Sequence, residues 1–313
     1  MTEIAVGIIN FNTRELLEAC LASVQQEAPS KIVVVDNASS DSSVDLVKVE
    51  FPGVVLLENQ SNVGYGAAAN QAIAACEEEY ILLLNSDTLL NPGALHALSE
   101  YLVLNPRVGV AGPRLINPDG TFQQSCYPLP TPLDIFLDVG NLSRVIRWVP
   151  CLRDHYIRTW SHDRARAVPY TLGAALAIRR IAIESVNGFD ESYFIYYEEV
   201  DLCYRLAKAG WQTHYAPVTE VIHIGGASTR QMRSDMAVQF YTSLAQFYRQ
   251  HYSKLRMAEL ILIIQSVAFT RLLRDAIRLH LAREPQRRAR LAMDINAWQR
   301  LLMGQWRSGV VYP

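Results

Sequence analysis

Several short stretches of this 313-residue chain end an apolar run on residues that can do chemistry. In LLLNSDT, Leu82 to Thr88, a buried-strand pattern stops at a carboxylate, Asp87. Ligands of open α/β sheets gather beyond the carboxyl ends of such strands, so Asp87 stands where a hard divalent cation and a phosphate can meet. By itself the pattern also fits a turn or a helix cap. VIHIGGAST ends another apolar run on His223, whose neutral imidazole can either complete a metal site with Asp87 or serve only as a hydrogen-bonding group. In VVVDNASSD, Asp36 and Asn37 close a strand. They can accept from the imide N–H of uracil or thymine or from a ribose hydroxyl, while a turn and helix cap explain Ser40 or Asp41 and part of Asp36.

NVGYGAAANQAI carries Asn62, Gly64, Gly66 and Asn70. Its glycines allow close backbone approach to a ligand, and the helix start behind them offers N–H groups to an anion. The spacing is not GxGxxG and it follows a third strand, which disfavours a nicotinamide enzyme. The same glycines and alanines also fit a helix packed tightly on a sheet. Finally, NGFDESYFIYYEEVDLCYR places a turn at Asn187 and Gly188, an aromatic run over 193–197, and Glu198, Glu199 and Asp201 at a helix start, where the dipole offsets their repulsion. Asp201 and Arg205 have the spacing of a surface ion pair. Glu198 and Glu199, beside tyrosines, are general-base candidates for a sugar hydroxyl.

Positioning these residues takes a sheet. Residues 4–9, 32–35, 54–57 and 80–84 are short apolar runs, and helical spacing lies between them. Leu17, Cys20, Leu21 and Val24 share a helix face after Thr13, a candidate N-cap; residues 67–76 predict a small-residue helix. Asn91 and Pro92 read as the cap and first position of a third helix bearing Leu95, Leu98 and Leu102. This alternation predicts an α/β fold with a mostly parallel sheet and crossover helices. It stops after Gly109, and residues 113–170 read as an irregular lid or binding loop. A strand is expected over 171–178, a helix from Glu198 to Ala209, strands within 213–224 and two or three helices over 235–303.

The composition, 50% hydrophobic and 19% charged, is that of an ordinary globular protein, and the net charge of −2 offers no global pull toward nucleic acid. From Ser253 onward, however, eleven Lys/Arg face four Asp/Glu. Five scattered cysteines without CxxC spacing suggest buried, reduced thiols. The first residues run directly into a strand without a signal-peptide pattern, so cytoplasmic chemistry is expected.

Taken in order, VGIINFN, VDNASSD, NVGYGAAAN, LLLNSDT, GFDESYFIYYEEVDLCYR and HIGG resemble the family 2 glycosyltransferases of the GT-A fold, especially their bacterial rhamnosyltransferase-like branch. The resemblance spans residues 4–230. It implies a GT-A catalytic domain over 1–230, with a nucleotide-binding half to residue 112 and an acceptor-binding half beyond, then a helical segment over 231–313. It also implies transfer with inversion from a dTDP- or UDP-sugar, by branch L-rhamnose, to a glycan or lipid-linked acceptor in cell-surface polysaccharide synthesis. Mg²⁺ or Mn²⁺ is the implied cofactor.

Carried over by position, Asn10 and Phe11 border the base, Asp36 reads it with Asn37, and Asn62, Gly64, Asn70, Asn85 and Ser86 lie near the nucleoside and phosphates. Asp87 and His223 fall on metal positions, Glu199 on the base position with Glu198 before it, and Gly173, Tyr196, Tyr197 and Asp201 on the acceptor side. Two positions depart from the pattern. Asn85 replaces the first metal-motif carboxylate, so Asp87 alone would bind directly. Glu replaces the commoner Asp at the base, which leaves open whether Glu199 or Glu198 faces the acceptor.

ELILIIQSVAF, residues 259–269, is too short to span a bilayer but, with the arginines after it, fits an anionic membrane surface. A helical pair packed on the catalytic domain or in a homodimer fits equally. A sugar nucleotidyltransferase would need a basic glycine-rich loop after its first strand, which VGIINFNTRELL lacks. A non-catalytic glycan-assembly protein would have little reason to keep Asp36, Asp87, Glu199 and His223 together.

Overall fold

The computed structural model describes residues 3–132, 134–135, 160–225 and 233–307. Much of the expected binding loop, 136–159 with Cys151, lies outside them. The described residues form two compact units. The first comprises 3–129, 160–194 and 198–225; the second comprises 130–132, 134–135, Ile195–Tyr197 and 233–307.

The first unit is a three-layer α/β structure. Strands β1 (Ile4–Asn10), β2 (Lys31–Asp36), β3 (Val55–Glu58) and β4 (Tyr80–Asn85) pair in parallel, in the order β3-β2-β1-β4. Strand β11 (Ala175–Arg179) joins β4 antiparallel, and β6 (Val108–Ile116), β12 (Gln212–His223) and β5 (Thr88–Leu90) continue the sheet. Every residue of β1 is buried, as expected of a central strand covered on both faces. Its side chains alternate: Ile4, Val6 and Ile8 meet helices α1 (Arg14–Gln26) and α4 (Ala94–Leu104), whereas Ala5 and Ile9 meet α3 (Tyr65–Ala74). The two-sided core is completed by α2 (Ser43–Glu50) on the first face and α5 (Arg180–Glu184) and α6 (Glu198–Lys208) on the second.

Small residues in α3 have a packing cause. A Cβ on Gly7 would stand 2.9 Å from the Ala72 Cβ, so strand and helix approach closely only because both positions are small.

Three local expectations change. Thr13 precedes α1 but makes no side-chain cap bond; its hydroxyl is spent on Asn10 and Ser86. Helix α4 starts at Ala94, past Asn91 and Pro92. Its first amides are capped by the Glu27 carboxylate, which accepts from the Gly93 and Leu95 N–H groups. The single strand expected over 171–178 is two: β10 (Tyr170–Thr171) pairs with β8 (Cys126–Tyr127), and the chain turns at 172–174 before β11. The start of the expected irregular stretch is likewise ordered, because β6 runs to Ile116 and pairs with β7 (Phe122–Gln123). A further short strand, β9 (Arg166–Ala167), pairs with β12.

The second unit contains α7 (Arg233–His251), α8 (Lys254–Leu281) and α9 (Pro285–Leu302). Inside it, buried Asp275 of α8 is paired with Arg274 and accepts from the Trp298 indole of α9 at 3.0 Å. Among the described residues no helix is long and apolar enough to cross a membrane. The four described cysteines are buried and free. Burial pushes the thiols of Cys20, Cys126 and Cys203 up to about 12, which excludes them as thiolate nucleophiles at neutral pH.

Candidate active site

The ends of β1 and β2 carry a buried polar network. Asn10 donates to Asp36 Oδ2 at 2.7 Å and accepts from the Thr13 hydroxyl at 2.8 Å, and Thr13 meets the Ser86 hydroxyl at 2.6 Å. Asp36 also accepts from the Ser39 N–H at 2.8 Å. Two protein donors leave part of its acceptor capacity, about four lone-pair directions in a carboxylate, for a ligand. Half-buried Phe11 follows Asn10. In the sequence Thr13 reads as a helix cap and Ser39 as part of the turn that opens the next helix, and neither pattern marks it as a site residue. Through Asn10, Thr13 ties the Asp36 carboxylate to Ser86, the residue before Asp87, and Ser39 holds the carboxylate from the other side.

Asp87 does not simply end a strand. The chain leaves β4 at Asn85, turns at Ser86 and Asp87, and enters β5, which pairs antiparallel with the end of β12. That pairing, with the Ile224 N–H donating to the Asp87 carbonyl at 3.0 Å, sets His223 beside Asp87. His223 Nε2 lies 3.4 Å from Asp87 Oδ1.

Gln123 explains the orientation of the imidazole. Its Nε2 donates to the His223 carbonyl at 3.2 Å and to Asn117 Oδ1 at 2.9 Å, so its Oε1 is the end that accepts from His223 Nδ1–H at 2.6 Å. In the neutral ring Nε2 then carries a lone pair aimed at a carboxylate. Two acceptors so placed call for a cation or a proton between them. A carboxylate oxygen with an imidazole nitrogen fits a divalent ion such as Mn²⁺ or Mg²⁺. Among the described residues no group of three His, Cys, Asp or Glu side chains could hold a metal. The described residues therefore supply few donors, and phosphate oxygens are suited to complete the set.

Glu198 and Glu199 open α6. Burial pushes Glu198 well above the carboxylate range, with the neighbouring Glu199 charge adding to it, and burial raises Glu199 to about 7. The Oε2 atoms of both are buried without a hydrogen-bond partner, an arrangement retained where a polar group awaits a ligand or proton. Tyr65 lies close enough to both carboxylates for their charges to hold its phenol protonated, after burial. Its hydroxyl donates to the Gly173 carbonyl at 2.8 Å, and the Asn85 N–H donates to the Ala174 carbonyl at 3.0 Å.

Other expected residues have different tasks. Gly64 adopts φ +88°, and a Cβ there would stand 2.4 Å from the Phe194 carbonyl oxygen. The Tyr65 N–H at the start of α3 donates to that same oxygen at 2.9 Å, so this amide of the expected anion site is already used. Asn62 caps the Gly64 N–H, and Asn37 donates to the Gly64 carbonyl. Asn70 clamps the 189–191 turn, donating to the Phe189 carbonyl and Glu191 and accepting from the Phe189 N–H. Its amide, expected near the nucleoside, positions the approach to α6 here. Asp201 is 1% exposed and accepts from Arg205 Nε at 2.6 Å. The pair is thus buried at the aspartate, where the spacing alone predicts a surface pair. In the second unit, Tyr196 and Tyr197 pack edge-on or tilted against Phe240, both with positive φ.

Comparisons with known proteins identify the family and the fold. The model of "Glycosyltransferase like family 2" matches residues 2–252. An N-acetylglucosaminyl-diphospho-decaprenol L-rhamnosyltransferase of Mycobacterium tuberculosis is 32% identical over 249 residues, covering 73% of this chain and 78% of that protein. The low-salt glycan biosynthesis hexosyltransferase Agl10 of Haloferax volcanii is 24% identical over 253 residues, covering 77% and 73%. Among solved structures, the mannosyltransferase PcManGT from Pyrobaculum calidifontis in complex with GDP-Man and Mn²⁺ shares the fold. Its TM-score is 0.57 at 17% identity, covering 97% of this chain and 87% of that one. The mixed sheet with a helical C-terminal region is the GT-A architecture. A family match over most of the chain, on a fold that places a carboxylate–imidazole pair at its strand ends and buried Glu198 with half-buried Glu199 at a helix start, makes this protein a member of the family 2 glycosyltransferases.

Proposed function

We propose that this glycosyltransferase moves a sugar, L-rhamnose by kinship, from a dTDP- or UDP-sugar to a glycan or lipid-linked acceptor, with inversion, during cell-surface polysaccharide synthesis at the cytoplasmic face of a membrane. The observation that carries the reading is the facing pair Asp87 and His223, oriented by Gln123 at the strand ends. The kinship to a rhamnosyltransferase with a decaprenol-linked substrate in its name supports the sugar and the acceptor class. Residues before about 112 form the donor half, where Asp36 accepts from the base and the Asn10–Thr13–Ser86 network keeps it in place. Residues from about 113 to 230 form the acceptor half, with Gly173 in the first unit.

Asp87 and His223 would hold a Mn²⁺ or Mg²⁺, which would supply charge neutralisation for the departing diphosphate. Glu199 takes the proton of the acceptor hydroxyl as its oxygen attacks the anomeric carbon opposite the leaving group. A carboxylate titrating near 7 is matched to that task. Glu198, held protonated by burial, keeps a second negative charge away from the base. Binding of UDP, dTDP and GDP by calorimetry, with Mn²⁺ and with EDTA, tests the reading. Metal-dependent binding of one nucleotide, lost in Asp87→Ala, is the expected result, and no binding of any would sink the proposal.

A further inference from the structure

Helix α8 carries two apolar faces. One is buried within the second unit, through Leu260, Ile264, Val267 and Ala268. The other points to solvent: Leu255, Leu262, Phe269, Leu273, Ile277 and Leu281 are 50–72% exposed. At about 100° per residue, Leu262 and Leu273 lie about 180° from Ile264. The outward side of a packed helix is ordinarily its polar side, and here no described residue covers it. The stripe runs nearly the full 28 residues of α8.

Charge says what fits it. Arg256 and Arg274, about five turns apart, lie on one flank of the stripe, both exposed. At the turn into α9, Arg278, Arg283, Arg287, Arg288 and Arg290 are exposed with Glu284 as the one acid among them. The other end of α8 carries Lys254 and Arg256 with one acid, Glu259, paired to Arg256 at 3.0 Å, and so keeps a net positive charge. A second copy laid along this stripe, parallel or antiparallel, would therefore bring like charges together at its ends. An anionic surface with an apolar interior satisfies both the stripe and the arginines.

We propose that the outward face of α8, with the arginine cluster at the α8–α9 turn, lies in the interface of an anionic bilayer. The apolar stripe enters the acyl boundary and the arginines meet lipid phosphates. Residues 259–269 are thus divided between core and membrane, instead of acting as one apolar segment. The proposal rests on the lipid-linked acceptor suggested above only in giving the docking a purpose.

The test is co-sedimentation of the full chain with vesicles of phosphatidylcholine alone or mixed with phosphatidylglycerol. Preferential, salt-sensitive binding to the anionic vesicles is expected. The double variant Phe269→Asp/Leu273→Asp should bind at least about tenfold less, since two apolar side chains no longer enter the interface, and Arg283→Glu/Arg287→Glu should erase the anionic preference. All these side chains are exposed, and an unchanged circular dichroism spectrum confirms that each variant folds. Absence of vesicle binding by the wild type, or binding indifferent to both double variants, overturns the proposal. A wild-type dimer that Phe269→Asp/Leu273→Asp dissociates, without vesicle binding, overturns it in favour of a second copy. Nucleotide binding measured on the same samples separates the two readings: vesicle binding without nucleotide binding upholds the docking face and defeats only the donor assignment.

Discussion

At the scale of single residues the site depends on groups that hold other groups. Gln123 touches no reacting atom, yet its amide fixes which nitrogen of His223 faces Asp87. Gln123→Leu should weaken Mn²⁺ binding in the presence of nucleoside diphosphate about 10–100-fold, as loss of an orienting partner does. Gln123→Glu, which still accepts from Nδ1, should restore most of it; manganese paramagnetic resonance reads both. Glu199→Gln should lower the transfer rate by ~10²–10⁴, with nucleotide affinity nearly unchanged. Its weakened acidity also sets two pH dependences of opposite sense. Activity should rise with pH through about 7, as the base loses its proton. Stability runs the other way: a folded-state value raised above 4.5 contributes stability that is present below 4.5 and lost as pH rises through about 7. Glu199→Gln should therefore raise the melting temperature relative to wild type above pH 7 and do little near 4.5, by scanning calorimetry. Equal shifts at both pH values would refute the buried, protonated carboxylate.

Among the elements, the start of α3 and the approach to α6 are built as one piece. The Gly64 conformation admits the Phe194 carbonyl, Tyr65 binds it, and Asn70 holds the turn at Phe189. Gly64→Ala would combine a left-handed backbone at a non-glycine residue with a 2.4 Å clash. It should cost about 1–3 kcal/mol or more in urea unfolding. Gly53→Ala, which meets nothing within 4 Å, should change stability by less than about 0.5 kcal/mol. The motif NVGYGAAAN was legible as glycines permitting a close approach. What approaches is the chain's own carbonyl, and a one-dimensional pattern cannot distinguish a ligand from a loop arriving 130 residues later. Asp201 and Arg205 show the same gap: their spacing announced the pair, but burial of the aspartate depends on what packs over the helix.

For the whole molecule, a site with few donors among the described residues predicts that metal and nucleotide bind together. UDP or dTDP with Mn²⁺ should raise the melting temperature, corresponding to ~2.7 kcal/mol at a hundredfold excess over Kd. Either component alone, or both with EDTA, should do little. The sequence by itself determined the parallel strands, their order along the chain, the family, and the residue types of the site, because buried strands and strand-end polar groups are local patterns. The tertiary structure decided the partnerships. Asp87 meets His223 through a three-residue strand that joins the far side of the sheet, and Gln123 reaches His223 from a hairpin a hundred residues away. Such pairings arise from sheet topology, which periodicity does not encode. The C-terminal helices make the same point about surfaces: their apolar residues were countable, but which of them face the core and which face outward is set only when α8 packs against its neighbours.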